Sequence, residues 1–358
     1  MPRVVGIDPG TYSFDLCGLA GDDIFLESSV PSALVAERPA VLVEALLAAG
    51  PLDLIAGPSG YGLPCLSLQA VGERELRLML LGAPGEPRAV GGIRGLVRHL
   101  REERLPVVFL PGVVHLPTVP RHRKINRVDM GTADKVCAAA FAIDDQARRE
   151  GLRCHETALV LVELGGAFTA VLSVSEGRIV SGQGGSSGPI GYLAAGALDG
   201  ETAFLLGQVT KETVFSGGAA HVAGAPEATP EALFARDDEP VRVAFDAFVE
   251  GVTRAVAAEV AATPGPREIV LSGRLARLPA VREALTRALL AFAPVRTLPV
   301  GTTKEAARGA ALIADGLAGG RRSGLVDAMR LREASGTALD HLFLAGAARA
   351  RAWVASGY

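Results

Sequence analysis

The stretch Val4-Val5-Gly6-Ile7-Asp8-Pro9-Gly10-Thr11 decides the fold. Its apolar beginning predicts a buried strand that ends at an acid, and Asp8-Pro9-Gly10-Thr11 predicts a tight turn. A second apolar run, Leu16 to Ala20, follows, so we expect a β-hairpin with Asp8 and Thr11 at its tip. Such a tip suits a nucleotide, because glycine lets backbone N–H groups approach phosphate oxygens and an acid can hold a hydrated divalent cation. Taken alone, Asp-x-Gly-Thr is also typical of an ordinary turn.

The same pattern recurs later in the chain. Leu159-Val160-Leu161-Val162-Glu163-Leu164-Gly165-Gly166 is again an apolar strand, an acid, one residue and a glycine. A shift of 155 positions (163 − 8) aligns Asp8 with Glu163 and Gly10 with Gly165. Both copies continue as strand, turn and strand. An internal repeat of this length predicts two similar domains, whose glycine hairpins would hold phosphates from the two sides of a cleft.

Three further segments follow in an order that resembles the superfamily of sugar and acetate kinases, heat-shock chaperone ATPases and actin. Asp8–Thr11 resembles its first phosphate loop, and Glu163–Gly166 resembles its second. The other three segments resemble the first inter-domain helix, the adenosine-binding strand and loop, and the second inter-domain helix. They are Ala133-Asp134-Lys135-Val136-Cys137-Ala138-Ala139-Ala140-Phe141-Ala142, Ile269-Val270-Leu271-Ser272-Gly273-Arg274-Leu275 and Ala306 to Ala314.

The resemblance implies an α/β fold of duplicated ribonuclease H-like (actin-like ATPase) domains, with a nucleotide in the cleft between them. We expect an N-terminal domain at residues 1–150, a second domain at residues 151–320 and a C-terminal helical tail at residues 321–358. The resemblance also implies ATP and Mg²⁺ as cofactors, with Asp8 and Glu163 near the metal. Glu163 departs from the superfamily, which usually has aspartate there, although its longer side chain can reach a metal through water.

Within the superfamily, Asn126-Arg127-Val128-Asp129-Met130-Gly131-Thr132-Ala133-Asp134-Lys135 resembles a prokaryotic family named as predicted butyrate kinases. This resemblance implies phosphoryl transfer from ATP to a small acceptor, with a short-chain carboxylate as the acceptor. Fold alone does not fix chemistry. An ATP-binding conformational switch, or a non-catalytic ATPase that regulates a partner protein, stays open as the alternative.

A basic run, Arg121-His122-Arg123-Lys124, is followed by Arg127. Such a run is usually a solvated loop, but its place at the rim of the expected cleft also suits an anion clamp, because arginine binds carboxylates and phosphates bidentately. We therefore predict catalytic roles for Asp8, Arg127 and Asp129, with Arg127 and Asp129 positioning the acceptor. The alternative for Asp129 is a cap of the helix that begins near Thr132.

The loop Gly182-Gln183-Gly184-Gly185-Ser186-Ser187-Gly188-Pro189-Ile190-Gly191 is rich in glycine. It matches neither a Walker A motif nor a dinucleotide fingerprint, since no Gly-Lys-Ser/Thr ends it. We interpret it as a mobile cleft loop that contacts substrate or phosphate, and a flexible connector is the alternative. Across the whole chain, the predicted cofactor-binding residues are Gly10, Thr11, Glu163, Gly165, Gly166, Gly185, Ser186, Gly188, Ser272, Gly273 and Arg274.

Composition narrows the class of protein. At 358 residues the chain is long enough for two domains. Hydrophobic residues make up 49%, but no uninterrupted apolar run reaches the roughly 18 residues of a membrane span. A net charge of −3 argues against a nucleic-acid partner. The cysteines lie far apart, which is typical of a reducing compartment. We expect a cytoplasmic protein that acts on a small molecule, away from membranes.

The tail from Ser323 to Ser356 predicts two further helices with several large apolar side chains. We expect it to pack back on the body of the protein. Because the apolar positions exceed one narrow stripe, a homodimer contact is the alternative.

Overall fold

The computed structural model describes residues 1–57, 59–81, 87–263, 265–299 and 301–356, with side chains described except at 87–92 and 356. The strands are β1 (Arg3–Pro9), β2 (Ser13–Ala20), β3 (Asp23–Pro31), β4 (Leu54–Gly57), β5 (Leu66–Ser67), β6 (Val107–Phe109), β7 (Leu159–Leu164), β8 (Thr169–Ser175), β9 (Arg178–Gln183), β10 (Glu268–Ser272) and β11 (Val295–Thr297). The α-helices are α1 (Ser32–Glu37), α2 (Ala40–Ala48), α3 (Glu73–Leu80), α4 (Pro87–Glu102), α5 (Arg121–Lys124), α6 (Ala133–Glu150), α7 (Gly200–Leu206), α8 (Lys211–Val214), α9 (Ala219–Val222), α10 (Pro230–Leu233), α11 (Glu239–Ala262), α12 (Pro279–Leu289), α13 (Glu305–Leu317), α14 (Ser323–Met329) and α15 (Ala347–Ser356). Short 3₁₀ turns lie at Leu68–Ala70, Val113–His115, Cys154–Glu156, Leu275–Arg277 and Leu331–Glu333. Within the described part of the chain, no helix has the length and apolarity that a membrane span requires.

The strands form two sheets of the same design. The first has the order β3-β2-β1-β4-β6-β5 and the second has the order β11-β10-β7-β8-β9. In each sheet an antiparallel unit of three consecutive strands continues into parallel strands, β4 and β6 in the first and β10 and β11 in the second. The shared order confirms the predicted α/β fold built from a duplicated unit.

The two hairpins also share their pairing residue by residue. Val4 pairs with Leu19 in the first copy, and Leu159 pairs with Val174 in the second. Adding 155 to both numbers of the first pair therefore gives the second. The irregularity in the pairing with the third strand falls between Gly18 and Leu19 and again between Ser173 and Val174, which obey the same shift. The repeat predicted from the sequence is thus conserved down to its β-bulge.

Successive residues of β1 and of β7 point into different hydrophobic cores. Val4 of β1 and Leu159 of β7 face a central core that contains α6 and α13. Their neighbours in sequence face outward: Val5 packs in a core with α2 and α4, and Val160 packs in a core with α11 and α12. Successive side chains of a strand point to opposite faces of its sheet. A strand that is apolar at every position is therefore expected where helices cover both faces.

The central layer depends on a close crossing of α6 and α13. A Cβ atom placed at Gly309 of α13 would lie 1.7 Å from the carbonyl oxygen of Cys137 on α6. At Gly6 of β1 it would lie 2.2 Å from the backbone nitrogen of Ala311. Both neighbours are backbone atoms, which cannot rotate away. The small alanine face of α6, predicted to allow a close helix crossing, is buried in this layer.

The tail packs back on the first sheet's side of the protein, as expected. Leu339 and Val354 belong to the core beneath α2 and α4. Arg77 Nε donates to the Val354 carbonyl at 3.0 Å, and Phe343 N donates to Asn126 Oδ1 at 2.8 Å. A homodimer contact stays a prediction, and so do the domain limits.

We predict that Gly309→Ala destabilises the protein by about 3 kcal/mol, because the added methyl group overpacks a backbone contact and forces α6 and α13 apart. The free energy of unfolding from urea titration measures this. Gly324→Ala is the matched control, since a Cβ there meets nothing within 4 Å, and it is expected to be neutral or stabilising by up to about 1 kcal/mol. Equal stability of the two variants would contradict the crossing.

Candidate functional site

A cavity of about 780 Å³ lies between the two halves, where the tips of the two hairpins approach each other. Most of the predicted site residues line it. They are Asp8, Gly10, Thr11, Asp129, Glu163, Gly165, Gly166, Ser186, Ser272, Gly273 and Arg274. Arg127, Gly185 and Gly188 are not among the lining residues. The structure therefore brings both hairpins, the end of β10 and part of the glycine loop to one place.

The two hairpin tips are closed in the same way. Gly10 N donates to the Ser13 carbonyl at 2.9 Å, and Gly165 N donates to the Phe168 carbonyl at 2.9 Å. Adding 155 to both residue numbers of the first bond again gives the second. Each glycine N–H is therefore used to close its own turn, and the residues that follow, Thr11 and Gly166, form the tips.

Lys135 lies at the centre of the site, on the first turn of α6. Its Nζ atom lies 2.6 Å from Asp134 Oδ2 and 3.1 Å from Glu163 Oε2. Burial acts to lower the pKa of Lys135, but Asp134, Glu163 and Asp8 outweigh it, so the net pKa is raised and the ammonium stays charged. Lys135 thus joins an acid of the second hairpin to a helix that begins in the first half.

Lys304 plays the corresponding part at the first hairpin. Its Nζ atom lies 2.6 Å from Asp15 Oδ2 and 3.6 Å from Asp8 Oδ2, and it donates to the Ser13 carbonyl at 2.7 Å. Asp15 faces Asp8 directly across the hairpin. Lys304 immediately precedes α13, so the start of this helix is fixed to the first hairpin tip by charge as well as by packing.

Burial perturbs the acids of both hairpins. Burial raises the pKa of Asp8 to about 7, against the opposing influence of Lys304 and Lys135. Burial also raises the pKa of Glu163, against the lowering influence of Lys135. Asp8 Oδ1 is buried and has no hydrogen-bond partner among the described residues. The two acids are costly to ionise unless a further cation approaches them.

Asp8 fits a bound magnesium ion. Mg²⁺ usually binds protein through one or two carboxylates and keeps several waters, and Asp8 lines the cavity with its Oδ1 atom unpartnered among the described residues. Glu163 is the second candidate, because its carboxylate lies on the other hairpin tip and lines the same cavity. Among the described residues, no group of three or more His, Cys, Asp or Glu side chains is arranged to hold a metal ion by itself.

Asp129 anchors the glycine loop. Its Oδ2 atom accepts from Ser186 N at 2.9 Å and from Ser186 Oγ at 3.0 Å, and its Oδ1 atom accepts from Gly131 N at 3.0 Å. The alternative interpretation of Asp129 as a helix cap is wrong, since Thr132 occupies the cap position of α6. The loop is fixed to the first half through this carboxylate.

Three predicted residues lie away from the cavity. Arg127 is exposed, and its guanidinium donates to the Ser187 carbonyl at 3.3 Å. Gly185 packs against Phe168, whose Cβ atom would lie 2.6 Å from a Cβ at Gly185. Gly188 packs against the Gly184 carbonyl oxygen in the same way, at 2.7 Å. In these positions glycine allows close packing within the loop, and the arginine lies on the surface.

The end of β10 lies beside the second hairpin. Ser272 pairs with Glu163 across the parallel strands. Gly273 has φ of +86°, and a Cβ there would lie 2.5 Å from the Leu164 carbonyl oxygen, so this turn requires glycine. Arg274 lies over the Tyr12 ring at 5.0 Å and pairs with Glu231 at 3.1 Å. The predicted adenosine-like segment therefore meets the first hairpin tip through Tyr12.

Sequence reasoning missed several lining residues. They are Asp15, Asp134, Lys135, Lys211, Lys304 and the aromatic residues Tyr12, Tyr61, Phe168 and Phe215. A signal existed for Asp15, because antiparallel pairing of the predicted hairpin sets it opposite Asp8. For Lys135 the available signal was its place in the segment that resembles the first inter-domain helix. Lys211 and the aromatic residues carry no local pattern.

We predict that Asp8→Asn raises stability above about pH 7 when divalent cations are absent. The folded-state pKa of Asp8 is about 7 and the unfolded value is 3.8, so the protonated carboxyl contributes stability that is complete below pH 3.8 and is lost as the pH rises through 7. Asparagine removes this loss, and the gain at pH 8 should be on the order of 2–4 kcal/mol. Urea titrations at pH 5 and pH 8 measure it.

The matched control for Asp8→Asn is Asp15→Asn, which removes the partner 2.6 Å from Lys304 and should destabilise the protein. A gain in stability at pH 8 that is no larger than at pH 5 would contradict the buried, raised carboxyl.

We predict that Lys135→Met destabilises the protein by about 2–3 kcal/mol at pH 7, because it leaves the partly buried Asp134 and Glu163 without their ammonium partner, a smaller loss than for a fully buried pair. Adding Glu163→Gln to this variant should recover part of the loss, since one uncompensated charge is then removed. A double-mutant cycle followed by urea titration gives the coupling energy. Additive effects of the two substitutions would argue against the pair.

Known proteins resemble this chain in sequence and in fold. A protein of Deinococcus radiodurans named "Probable butyrate kinase" is 30% identical over 254 residues, which cover 67% of this chain and 64% of that protein; the match spans less than two thirds of the relative's length. The crystal structure of acetate kinase from Entamoeba histolytica has a TM-score of 0.62 at 12% identity, covering 80% of this chain and 86% of that one. A propionate kinase from Francisella tularensis also has a TM-score of 0.62 at 12% identity, covering 86% and 99%.

These structural likenesses show the fold, which this chain shares with acetate and propionate kinases, as the resemblance in sequence implied. A family described as "Protein of unknown function (DUF1464)" matches residues 6–344, and this chain belongs to that family.

Proposed function

We propose that this protein is an ATP-dependent phosphotransferase whose acceptor is a short-chain carboxylate. The observation that carries the proposal is the cavity between two equivalent glycine hairpins, with the buried Asp8 and the partly buried Glu163 near their tips. Turns of this kind can bind phosphate through their backbone N–H groups. With one turn on each side of the cavity, the two halves of the protein would each bind part of the nucleotide's phosphate chain. The named relative and the acetate and propionate kinases of the same fold support the choice of acceptor.

In the proposed complex, Thr11 and Gly166 contact the phosphate oxygens from opposite sides of the cavity. The ammonium groups of Lys135 and Lys304 offset the charge that spreads over the transferred phosphoryl group. Asp8 and Glu163 would hold Mg²⁺ through its water shell. When bound, Mg²⁺ supplies further neutralisation of phosphate charge. Ser272, Gly273 and Arg274 form the wall against which the nucleoside packs.

The proposed reaction needs little from the protein beyond placement and charge. A carboxylate oxygen of the acceptor forms a bond to the γ-phosphorus, and the bond from that phosphorus to the β-phosphate oxygen breaks. The products are an acyl phosphate and ADP. No proton is removed from the acceptor, because a carboxylate is already deprotonated near neutral pH.

Asp129 then acts as a positioning residue. Its carboxylate accepts from the Ser186 hydroxyl and from the backbone of Ser186 and Gly131, which holds the glycine loop at the cavity wall. Arg127, predicted as an acceptor clamp, has no part in the proposal because its guanidinium lies outside the cavity.

We predict carboxylate-dependent ADP release from ATP and Mg²⁺, with an acyl phosphate that hydroxylamine traps as a hydroxamate. Asp8→Ala should lower this turnover by about 10²–10³-fold or more, since it removes a charge-positioning group at the reacting phosphates. Asp237→Ala is the matched control, because this aspartate is 90% exposed and does not line the cavity, and it should keep full activity.

Two results would contradict the proposal. ATP binding without turnover on any carboxylate would favour the conformational switch, which should instead show partner-dependent ATP hydrolysis or none. Failure to bind ATP at all, measured by calorimetry, would remove the nucleotide from the cavity altogether.

A further inference from the structure

The glycine loop presents one of its two serines to the cavity. Ser186 lines the cavity and is half-buried, whereas Ser187 is not among the described lining residues. The Ser187 hydroxyl donates to the Asp129 backbone carbonyl, and its oxygen accepts from Gly184 N at 3.2 Å. The Ser187 side chain is therefore engaged within the loop, and Ser186 is the serine that a ligand in the cavity meets.

The hydroxyl of Ser186 is paired with a carboxylate. Ser186 Oγ donates to Asp129 Oδ2 at 3.0 Å, and Ser186 N donates to the same oxygen at 2.9 Å. Asp129 is buried and also lines the cavity. A hydroxyl that already donates to a carboxylate has its proton acceptor in place, so its oxygen is set to act as a nucleophile.

A second serine of the cavity makes a similar bond in a different electrostatic environment. Ser13 Oγ donates to Asp15 Oδ2 at 2.8 Å, and both residues line the cavity. Asp15 Oδ2 also lies 2.6 Å from Lys304 Nζ, and a neighbouring cation makes a carboxylate a weaker base. The bonds described for Asp129 Oδ2 come from a neutral hydroxyl and a neutral amide. Asp129 is therefore the better placed of the two acids to accept a proton.

Packing places Ser186 beside the second hairpin. The preceding residue, Gly185, lies so close to Phe168 that a Cβ atom at Gly185 would be 2.6 Å from the Phe168 side chain. The Phe168 carbonyl accepts the bond from Gly165 N that closes this hairpin. In the proposed function this hairpin binds part of the phosphate chain. Ser186 therefore adjoins the phosphates of the bound nucleotide.

Asp129 approaches the same region from the first half. Its Oδ1 atom accepts from Gly131 N at 3.0 Å, just before α6 begins at Ala133. On the first turn of α6, Lys135 Nζ lies 3.1 Å from Glu163 Oε2 of the second hairpin. The serine and its acid thus come from opposite sides of the cavity and meet near the second phosphate turn.

We propose that Ser186 is phosphorylated by the ATP bound in this cavity, with Asp129 as the base. The inference rests on the proposed function, because it uses the same nucleotide, and it adds a modification site. Ser186 Oγ forms a bond to the γ-phosphorus, and the bond from that phosphorus to the β-phosphate oxygen breaks. Asp129 Oδ2 takes the hydroxyl proton and then releases it to water. The products are phosphoserine and ADP.

The modification acts on the glycine loop. A phosphoserine carries a charge of about −1.5 to −2 at neutral pH and is repelled by an adjacent acid. The Ser186 hydroxyl bond that helps to fix the loop to Asp129 is replaced by this repulsion. The loop then leaves the cavity wall, and turnover of the acceptor falls. The reaction is therefore a self-inactivation that proceeds when ATP is bound and no acceptor is present.

Incubation of the wild-type protein with ATP and Mg²⁺, without a carboxylate, tests the site. Intact-mass spectrometry should show the gain of a single phosphoryl group per chain, and peptide mapping should place it on Ser186. Ser186→Ala should lose this gain but keep its calorimetric affinity for ATP, because the backbone N–H that donates to Asp129 remains. Ser13→Ala is the matched control: it removes the other hydroxyl that pairs with a cavity carboxylate, and it should still be phosphorylated on Ser186.

Asp129→Asn tests the base. The amide keeps the size of the side chain and one oxygen that accepts hydrogen bonds, but it does not take a proton. Phosphorylation of Ser186 should therefore be slower by about 10²-fold or more, while ATP affinity measured by calorimetry shows that the variant is folded. Phosphorylation of Asp129→Asn at the wild-type rate would rule out Asp129 as the base.

Preincubation with ATP tests the self-inactivation. Carboxylate-dependent ADP release should fall in the wild-type protein as Ser186 becomes phosphorylated, and it should not fall in Ser186→Ala. An equal fall in both proteins would show that the loss of turnover has another cause.

The outcomes separate this inference from the proposed function. Carboxylate-dependent turnover by a protein that gains no phosphoryl group on Ser186 would overturn the inference and leave the kinase proposal in place. A gain of the same size in Ser186→Ala would place the modification on another residue and would also overturn it. Failure of the wild-type protein to bind ATP would overturn both.

Discussion

The cleft depends on the ion pairs that the partly buried ammonium of Lys135 makes with Asp134 and Glu163. Asp134, Glu163 and Asp8 all act on this group, and carboxylates in such a poorly solvated place cannot all be ionised without a compensating cation. Lys135 lies on α6, and the position of α6 is set by the crossing at Gly309, where a backbone carbonyl occupies the space a side chain would need. Packing in the central layer therefore determines the electrostatics at the hairpin tips, and a shift of the crossing would separate charges that need each other.

The duplicated halves have diverged at this point. In the first hairpin Asp15 faces Asp8, whereas the equivalent position in the second hairpin is Ala170, which faces Glu163. Asp15 pairs with Lys304, and Glu163 approaches Lys135 instead. Each hairpin tip thus has its own cation. Lys304, immediately before α13, pairs with the first tip, and Lys135 on α6 pairs with the second. The longer side chain at 163 fits this arrangement, because its partner lies on a helix and not across the hairpin.

The sequence predicted secondary structure and the internal repeat well, because both leave a regular pattern of residues. It predicted much less about which way an individual charged side chain points. Apolar runs and the 155-residue shift predicted the two hairpins and the duplicated α/β fold, but not which residues pair across each hairpin. The basic run before α6 was harder, because charge density does not reveal direction. Arg123 donates to the carbonyls of Val180 and Ala262 at 2.9 and 2.8 Å, so the run joins the two halves at the surface. Lys211 reaches the cavity from α8, a helix of four residues with no periodicity to detect.

The glycine loop shows the same limit. Composition predicted that its glycines would approach a ligand, yet Gly185 and Gly188 approach Phe168 and the Gly184 carbonyl, and it is Ser186 that lines the cavity. A glycine-rich segment indicates that something comes close to the backbone. Whether that neighbour is a ligand or the protein itself depends on tertiary contacts, here on the carboxylate of Asp129.

That carboxylate also bears on the choice between acceptors. A hydroxyl acceptor needs a base within hydrogen-bond reach to take its proton, and Asp129 is one carboxylate that lines the cavity. Both of its oxygens already accept bonds from the glycine loop and Gly131, and releasing them would free the loop that forms part of the cavity wall. A carboxylate acceptor avoids this conflict, because it is already deprotonated near neutral pH and needs no base. The engagement of Asp129 in the glycine loop thus favours a carboxylate acceptor over a hydroxyl acceptor.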